Sequence, residues 1–277
     1  MSPPQGADRY RGVEQFYGVL RNLNELEQRE IRKIVMAVLN PSLRERYLTL
    51  NYHRAAINVE LLLTLRDTKQ FQAIALLARS VFELAVEVKL ISQNSDAGEK
   101  IDALTRIEKL KYSKRIVVFK KSHPDAMVAT KSHEAFIAAN ERPIMAEQAA
   151  IWPGVKNVTH WMNRKLPRRV ELLGDPFHKM YEIHYAPLSW YSHAGVVGVN
   201  DPSTDLFAFF AGIACTIAGD SYIELLKVIV SEFKLGRADP KLVDKITCSK
   251  LVAFADSQEE ADVILRAHGL ERQGAGV

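Results

Sequence analysis

The sequence predicts an all-α protein, a helical bundle of long antiparallel helices. Three observations carry that prediction. Apolar residues recur at three- and four-residue intervals through most of the chain, strand-like alternation and Asn-Gly hairpin turns are almost absent, and Asx-Pro pairs punctuate the apolar runs at Asn40-Pro41, Asp175-Pro176, Asp201-Pro202 and Asp239-Pro240.

The first helix is read over Tyr10 to Leu39, with Val13, Phe16, Tyr17, Leu20, Leu23, Leu26, Ile31, Ile34, Val35 and Val38 on one face. Asn40 is expected to cap the second, with Pro41 in its first turn, because an Asx oxygen can accept an orphan N–H and proline has none to lose. That helix runs from about Leu43 to Leu65. A third, Phe71 to Ile91, is apolar on nearly every side and is therefore expected at the centre. Ile101 to Lys121 forms a basic helix, read as a solvated face, and a helical pattern from Asp125 to Asn140 should break at Pro143. His133-Glu134 on it reads as a solvent-facing pair. Leu206 to Phe233 should pack beside the third helix, Gly212 and Gly219 allowing close approach. Two short helices, Pro240 to Phe254 and Gln258 to His268, complete the pattern. The expected organisation is one helical bundle domain over 8–235 and a short helical appendage with a loose tail over 236–277, the latter also readable as a dimerisation arm.

Composition is ordinary for a globular chain: 47% apolar, 25% charged, formal charge +4. That balance tolerates an anionic partner without demanding one. Cys215 and Cys248 have no metal-binding spacing and point to a reducing cytoplasmic compartment. The N-terminus lacks an apolar core of signal-peptide type, and the longest uncharged run, Leu206 to Gly219, falls short of a bilayer span, so no membrane partner is expected. Phosphate loops, dinucleotide turns, His-Glu-x-x-His and Glu-x-x-His are all missing, which leaves no expected cofactor or metal.

Polar chemistry concentrates in two helices. Met180 to Gly195 places Tyr181, Tyr185, Ser189 and His193 at every fourth position, hence on one helical face. Pro187 offers no N–H to the carbonyl of Ile183, so this helix should kink or restart near Ala186, and Gly195 should end it with His193 in the last turn. On the third helix Gln72, Arg79, Glu83 and Glu87 share a stripe. Charges in a central helix must face one another, water or a partner, so Arg79 and Glu83 are read either as an ion pair locking two helices or as a site with His193. In the second case Arg79 holds a phosphate, His193 moves a proton, and Ser189 or Tyr185 orients the imidazole. A second candidate is the acid-free stretch from Trp152 to Val170. Lys156, His160, Trp161, Arg164, Lys165, Arg168 and Arg169 interleave bases with aromatics there, as a nucleic-acid contact would, and as a surface loop pinned by tryptophans also would.

The strings A-L-L-A-R-S-V-F-E-L and Y-A-P-L-S-W-Y-S-H resemble a family of bacterial all-helical proteins catalogued as a domain of unknown function, with Arg-x-x-x-Glu on one helix and Tyr-x-x-x-Ser-x-x-x-His on another. The resemblance implies that Arg79, Glu83, Tyr185, Ser189 and His193 are its polar positions. More distantly the architecture is similar to HEPN domains, which implies a metal-free ribonuclease or RNA-binding protein of toxin or defence systems. HEPN nucleases place Arg and His four to six residues apart on one helix, whereas here they would come from different helices. The competing expectation is a non-catalytic helical scaffold that binds a small ligand or a protein partner, as a homo-oligomer in one form, and whose polar cluster is structural.

Overall fold

A computed structural model describes residues 7–66, 70–192 and 204–270, and the described residues contain helices and connecting turns but no strands. They form two compact units. The first comprises 1–40, 48–93 and 166–277, and the second 41–47 and 94–165.

In the first unit, α1 (Ala7–Leu26) runs through a π-helical turn (Glu27–Ile31) into α2 (Arg32–Met36). The unbroken helix expected over Tyr10 to Leu39 is thus interrupted, and the extra residue of a π turn rotates the helix beyond it. Val35 is buried while Ile34, expected on the same core face, is 46% exposed. Next come α3 (Leu43–Thr64), whose residues from Leu48 onward belong to this unit, and α4 (Phe71–Gln93). Three short helices, α7 (Leu166–Leu173), α8 (Phe177–Met180) and α9 (Ala186–Ser192), are followed by α10 (Thr204–Glu232), α11 (Leu242–Phe254) and α12 (Gln258–Ala267).

The centre is α4 against α10, as the apolar third helix and the later apolar run foretell. Phe71, Ile74, Ala78, Val81, Phe82 and Ala85 are buried on α4, and Ala211, Ala214, Ala218, Tyr222, Leu225 and Ile229 on α10. Small residues let α1 close on α10: a Cβ at Gly219 would stand 3.3 Å from Val19. Helix α11 packs against both α1 and α10, and the Phe16 and Phe254 rings meet edge-on at 5.1 Å between α1 and α11. Helices α7 and α9 cover the other flank of α4. A hydrogen bond from Asn58 Nδ2 to Ser80 Oγ at 2.8 Å ties α3 to α4.

Helix starts fall slightly after the Asx-Pro pairs. Asn40 takes a left-handed φ of 53°, and the residue capping α3 is Ser42, whose Oγ accepts from Glu45 N–H at 3.2 Å while Glu45 accepts from Ser42 N–H at 2.8 Å. That reciprocal pair is a capping box, readable as Ser-x-x-Glu. Ser257 caps α12 by accepting from the Glu260 N–H at 3.1 Å, while the Glu260 carboxylate accepts from the Asp256 N–H at 2.6 Å. Asp175-Pro176 is a cis peptide and α8 begins at Phe177. Asp201-Pro202 lies outside the described residues.

The second unit is built on the hairpin of α5 (Ala97–Ser122) and α6 (Lys131–Ile151), closed by the irregular 152–165 stretch and the first turn of α3. Contrary to expectation, α6 passes straight through Pro143. Pro143 deprives only the Ala139 carbonyl of its partner, and both residues are on the exposed side, where solvent can serve that oxygen. His133 is not solvent-facing: it is half-buried, with Nδ1 3.1 Å from the Oγ of the buried Ser113 on α5. Trp152, Val158 and Trp161 are buried, and Trp152 Nε1–H donates to the Trp161 carbonyl at 2.9 Å. No helix among the described residues is long and apolar enough to cross a membrane.

Candidate functional site

Pro187 governs the local geometry. Its missing N–H and bulky ring prevent a regular helix across Ile183, and the chain answers with a π turn, Tyr181–Tyr185, before α9 restarts at Ala186. The expected kink is therefore a widened turn, and it sets Tyr185 against α4.

There the Arg79 guanidinium donates from Nη2 to the Tyr185 hydroxyl at 2.7 Å, and that hydroxyl donates to Glu83 Oε1 at 2.6 Å. Arg79 and Glu83 are 3.6 Å apart, one turn apart on α4. The guanidinium also lies 4.7 Å from the centre of the Tyr185 ring, a cation–π contact. One turn further along, Glu87 pairs with Arg169 of α7. The sequence pattern anticipates the stripe of Arg79, Glu83 and Glu87. Arg169, the partner on α7, carries no such signal, because in sequence it is one more cation in a basic stretch.

Burial sets the electrostatics. Tyr185, buried beside the rings of Phe82 and Tyr181, is pushed up to about 12, first by loss of water and then by the Glu83 carboxylate, with Arg79 pulling the other way. Burial lowers Arg169 from its usual range, while Glu83 and the Tyr185 oxygen oppose that shift. Two guanidinium and two carboxylate groups thus balance, the phenol between them stays protonated near neutrality, and the cluster presents no excess positive charge to a phosphate. What it does well is fasten the π turn and α7 to α4 through bonds that tolerate little displacement.

Of the other expected residues, Ser189 is half-buried on α9 and His193 lies outside the described residues. His184, on the π turn, is lowered by burial and feels the charges of Asp220 and Lys250. Among the described residues no group of three or more His, Cys, Asp and Glu side chains could hold a metal. A cleft of about 610 Å³ sits elsewhere in the first unit, lined among others by Asn22, Arg29, Lys245, Cys248 and Leu270.

The basic stretch divides between the units. Lys156, His160, Trp161, Arg164 and Lys165 belong to the second, Arg168 and Arg169 to the first. Trp161 is 4% exposed and offers no open ring face. His160 is pushed down to about 4 by burial, and its Nδ1 accepts from the Met162 N–H at 3.1 Å. It is a neutral structural acceptor. Arg168 pairs with Glu171 on the surface, whereas Lys156, Arg164 and Lys165 are exposed.

Charge is distributed unevenly. The second unit carries 15 Lys and Arg against 9 Asp and Glu, a formal +6, and the first carries 22 against 24, a formal −2. The modest +4 of the whole chain conceals this split. Compared with protein-family models, with curated proteins and with solved structures, the chain matches none.

Proposed function

We propose that the chain is a cytoplasmic RNA-binding protein of HEPN-like helical type, in which the Arg79–Tyr185–Glu83 network holds the architecture and the second unit contacts the nucleic acid. The observation that carries this reading is the segregation of charge. A compact unit at +6 within a chain at +4 attracts a polyanion and gains from releasing its counterions. Proton transfer at the network does not favour cleavage. A guanidinium keeps its proton under all ordinary conditions, and Tyr185 at about 12 is a poor exchanger near pH 7. RNA scission would rest on His193, so the test includes that residue.

Total RNA is incubated with the wild type and with the Arg79→Ala and His193→Ala variants, then run on native and denaturing gels. The expected result is retardation by all three proteins and intact RNA. Free migration with the wild type overturns the RNA reading in favour of a non-nucleic-acid scaffold, which the balanced ion pairs of α4 support. Cutting by the wild type that either variant abolishes replaces it with a ribonuclease.

A further inference from the structure

We infer that the outer face of α5 is a platform for single-stranded RNA, on which bases stack against Tyr112 and Phe119 while Arg115 between them holds a phosphate. The inference rests on the RNA reading above and assigns the contact surface that reading leaves open.

Helix α5 buries Ala103, Ile107, Leu110 and Ser113. Tyr112, Arg115 and Phe119 follow one another at spacings of three and four residues, so they line a single stripe turned away from that core. Tyr112 is 57% exposed and Phe119 46%. Two large rings on one solvent face mark an interaction site better than they serve a soluble surface. Both are held in place. The Phe119 ring lies flat on the His123 imidazole, centroids 4.5 Å apart and planes 20° from parallel, and Tyr112 meets His133 of α6 edge-on at 5.7 Å. Rings already ordered lose little freedom when a base settles on them.

The cations around the stripe are not equivalent. Arg106 is paired with Asp102 and Glu147, Lys114 with Glu141, Lys111 with Glu108, and Lys120 donates to the carbonyls of Pro124 and Ala126. Lys109 lies over the Phe136 ring. Arg115 and Lys121 are exposed and have no carboxylate partner among the described residues. Carboxylates therefore neutralise the flanks of α5 and leave positive charge beside the open rings. From Tyr112 to Phe119 the helix rises roughly 10 Å, with Arg115 between them along the stripe. Ring, cation, ring is the order a strand presents as base, phosphate, base. A duplex hides its base faces, so the platform selects unpaired RNA. A second copy of this chain is disfavoured as occupant, because docking two such faces would bring two +6 units together.

The test titrates the full chain into a 5′-fluorescein-labelled oligouridylate and into a labelled RNA duplex of equal length, followed by anisotropy. Wild type, Tyr112→Ala/Phe119→Ala, Arg115→Ala and the ring-preserving Phe119→Trp are compared, with circular dichroism to verify folding. Expected are preferential binding of the single strand, a loss of tenfold or more in the double alanine variant, a loss of severalfold in Arg115→Ala, and near wild-type affinity for Phe119→Trp. Unchanged affinity in the folded double variant overturns the platform while leaving RNA binding intact. So does equal binding of the duplex, or a dimer of the wild type that the double variant breaks without loss of RNA affinity. Absence of any binding by the wild type overturns both readings.

Discussion

The hydroxyl of Tyr185 donates to Glu83 Oε1 at 2.6 Å across 102 residues of sequence and itself accepts from the Arg79 guanidinium at 2.7 Å. One phenol thus completes two charged groups of the central helix. Tyr185→Phe keeps the ring against Phe82 and Tyr181 and removes only the hydroxyl, leaving Arg79 and Glu83 as a bare pair 3.6 Å apart. A loss of about 1.5–3 kcal/mol is expected, the contribution of hydrogen bonds to charged groups. Urea denaturation followed by circular dichroism checks it, and a midpoint equal to the wild type would show the bond to be idle.

Glu27 is the most deeply buried charge among the described residues of the first unit. It is fully covered, accepts from Tyr52, and binds the Arg32 guanidinium through both oxygens at 3.1 and 2.7 Å. Arg32 also reaches Glu60 at 2.7 Å, so it keeps one partner if Glu27 is removed. Glu27→Ala is expected to cost about 3 kcal/mol, the low end for breaking a buried pair, and Glu60→Ala below about 1 kcal/mol because that carboxylate is only half-buried and still reached by water. Comparable midpoint shifts for the two variants would contradict the assigned burial.

These two clusters show how far the sequence is legible. Apolar periodicity marks α4 and α10 as central, and the Arg79, Glu83, Glu87 stripe and the Pro187 disruption can be read directly from spacing. Glu27 could not be singled out, because a π turn alters which residues face inward and no local residue type announces that change. Ser42 and Glu45 carried a visible Ser-x-x-Glu signal that the neighbouring Asn40-Pro41 obscured. Aromatic letters in the 152–165 stretch do not reveal their burial, whereas Tyr112 and Phe119, inside a helix that reads as merely basic, are the exposed rings. Charge segregation became visible only once contacts divided the chain.

His160 gives the second unit a pH response. Its folded pKa of about 4 lies below the ordinary 6.5, because burial penalises the imidazolium. The unfolded chain therefore takes up this proton first as pH falls. The contribution is complete above pH 6.5, declines between 6.5 and 4, and levels off once the folded form also protonates. Urea unfolding monitored by tryptophan emission, which Trp152 and Trp161 supply in this unit, is expected to show that decline in the wild type. His160→Asn, which retains an acceptor for the Met162 N–H, is expected to flatten it. Identical pH slopes in the two proteins would refute the assignment.

Gly98 marks the tightest approach in the second unit. A Cβ there would lie 2.6 Å from the Arg44 backbone nitrogen and 3.0 Å from the Leu43 carbonyl carbon, atoms that cannot rotate away. Gly98→Ala is expected to destabilise by about 1–3 kcal/mol despite its better helix propensity. Gly236→Ala, with open space at the Cβ position, serves as the comparison and is expected to be mild. A Gly98→Ala variant as stable as the wild type would mean that the start of α3 does not pack against α5 as described.

RNA binding through the positive charge of the second unit must depend on salt. Affinity of the full chain for the labelled oligouridylate is measured between about 50 and 200 mM KCl, because each phosphate neutralised on a single strand contributes roughly 0.7 to the log–log slope. A steep fall in affinity with salt is expected, with a slope shallower by about one such increment for each of Arg115→Ala and Lys121→Ala. Affinity insensitive to salt, or slopes unmoved by both substitutions, would contradict it.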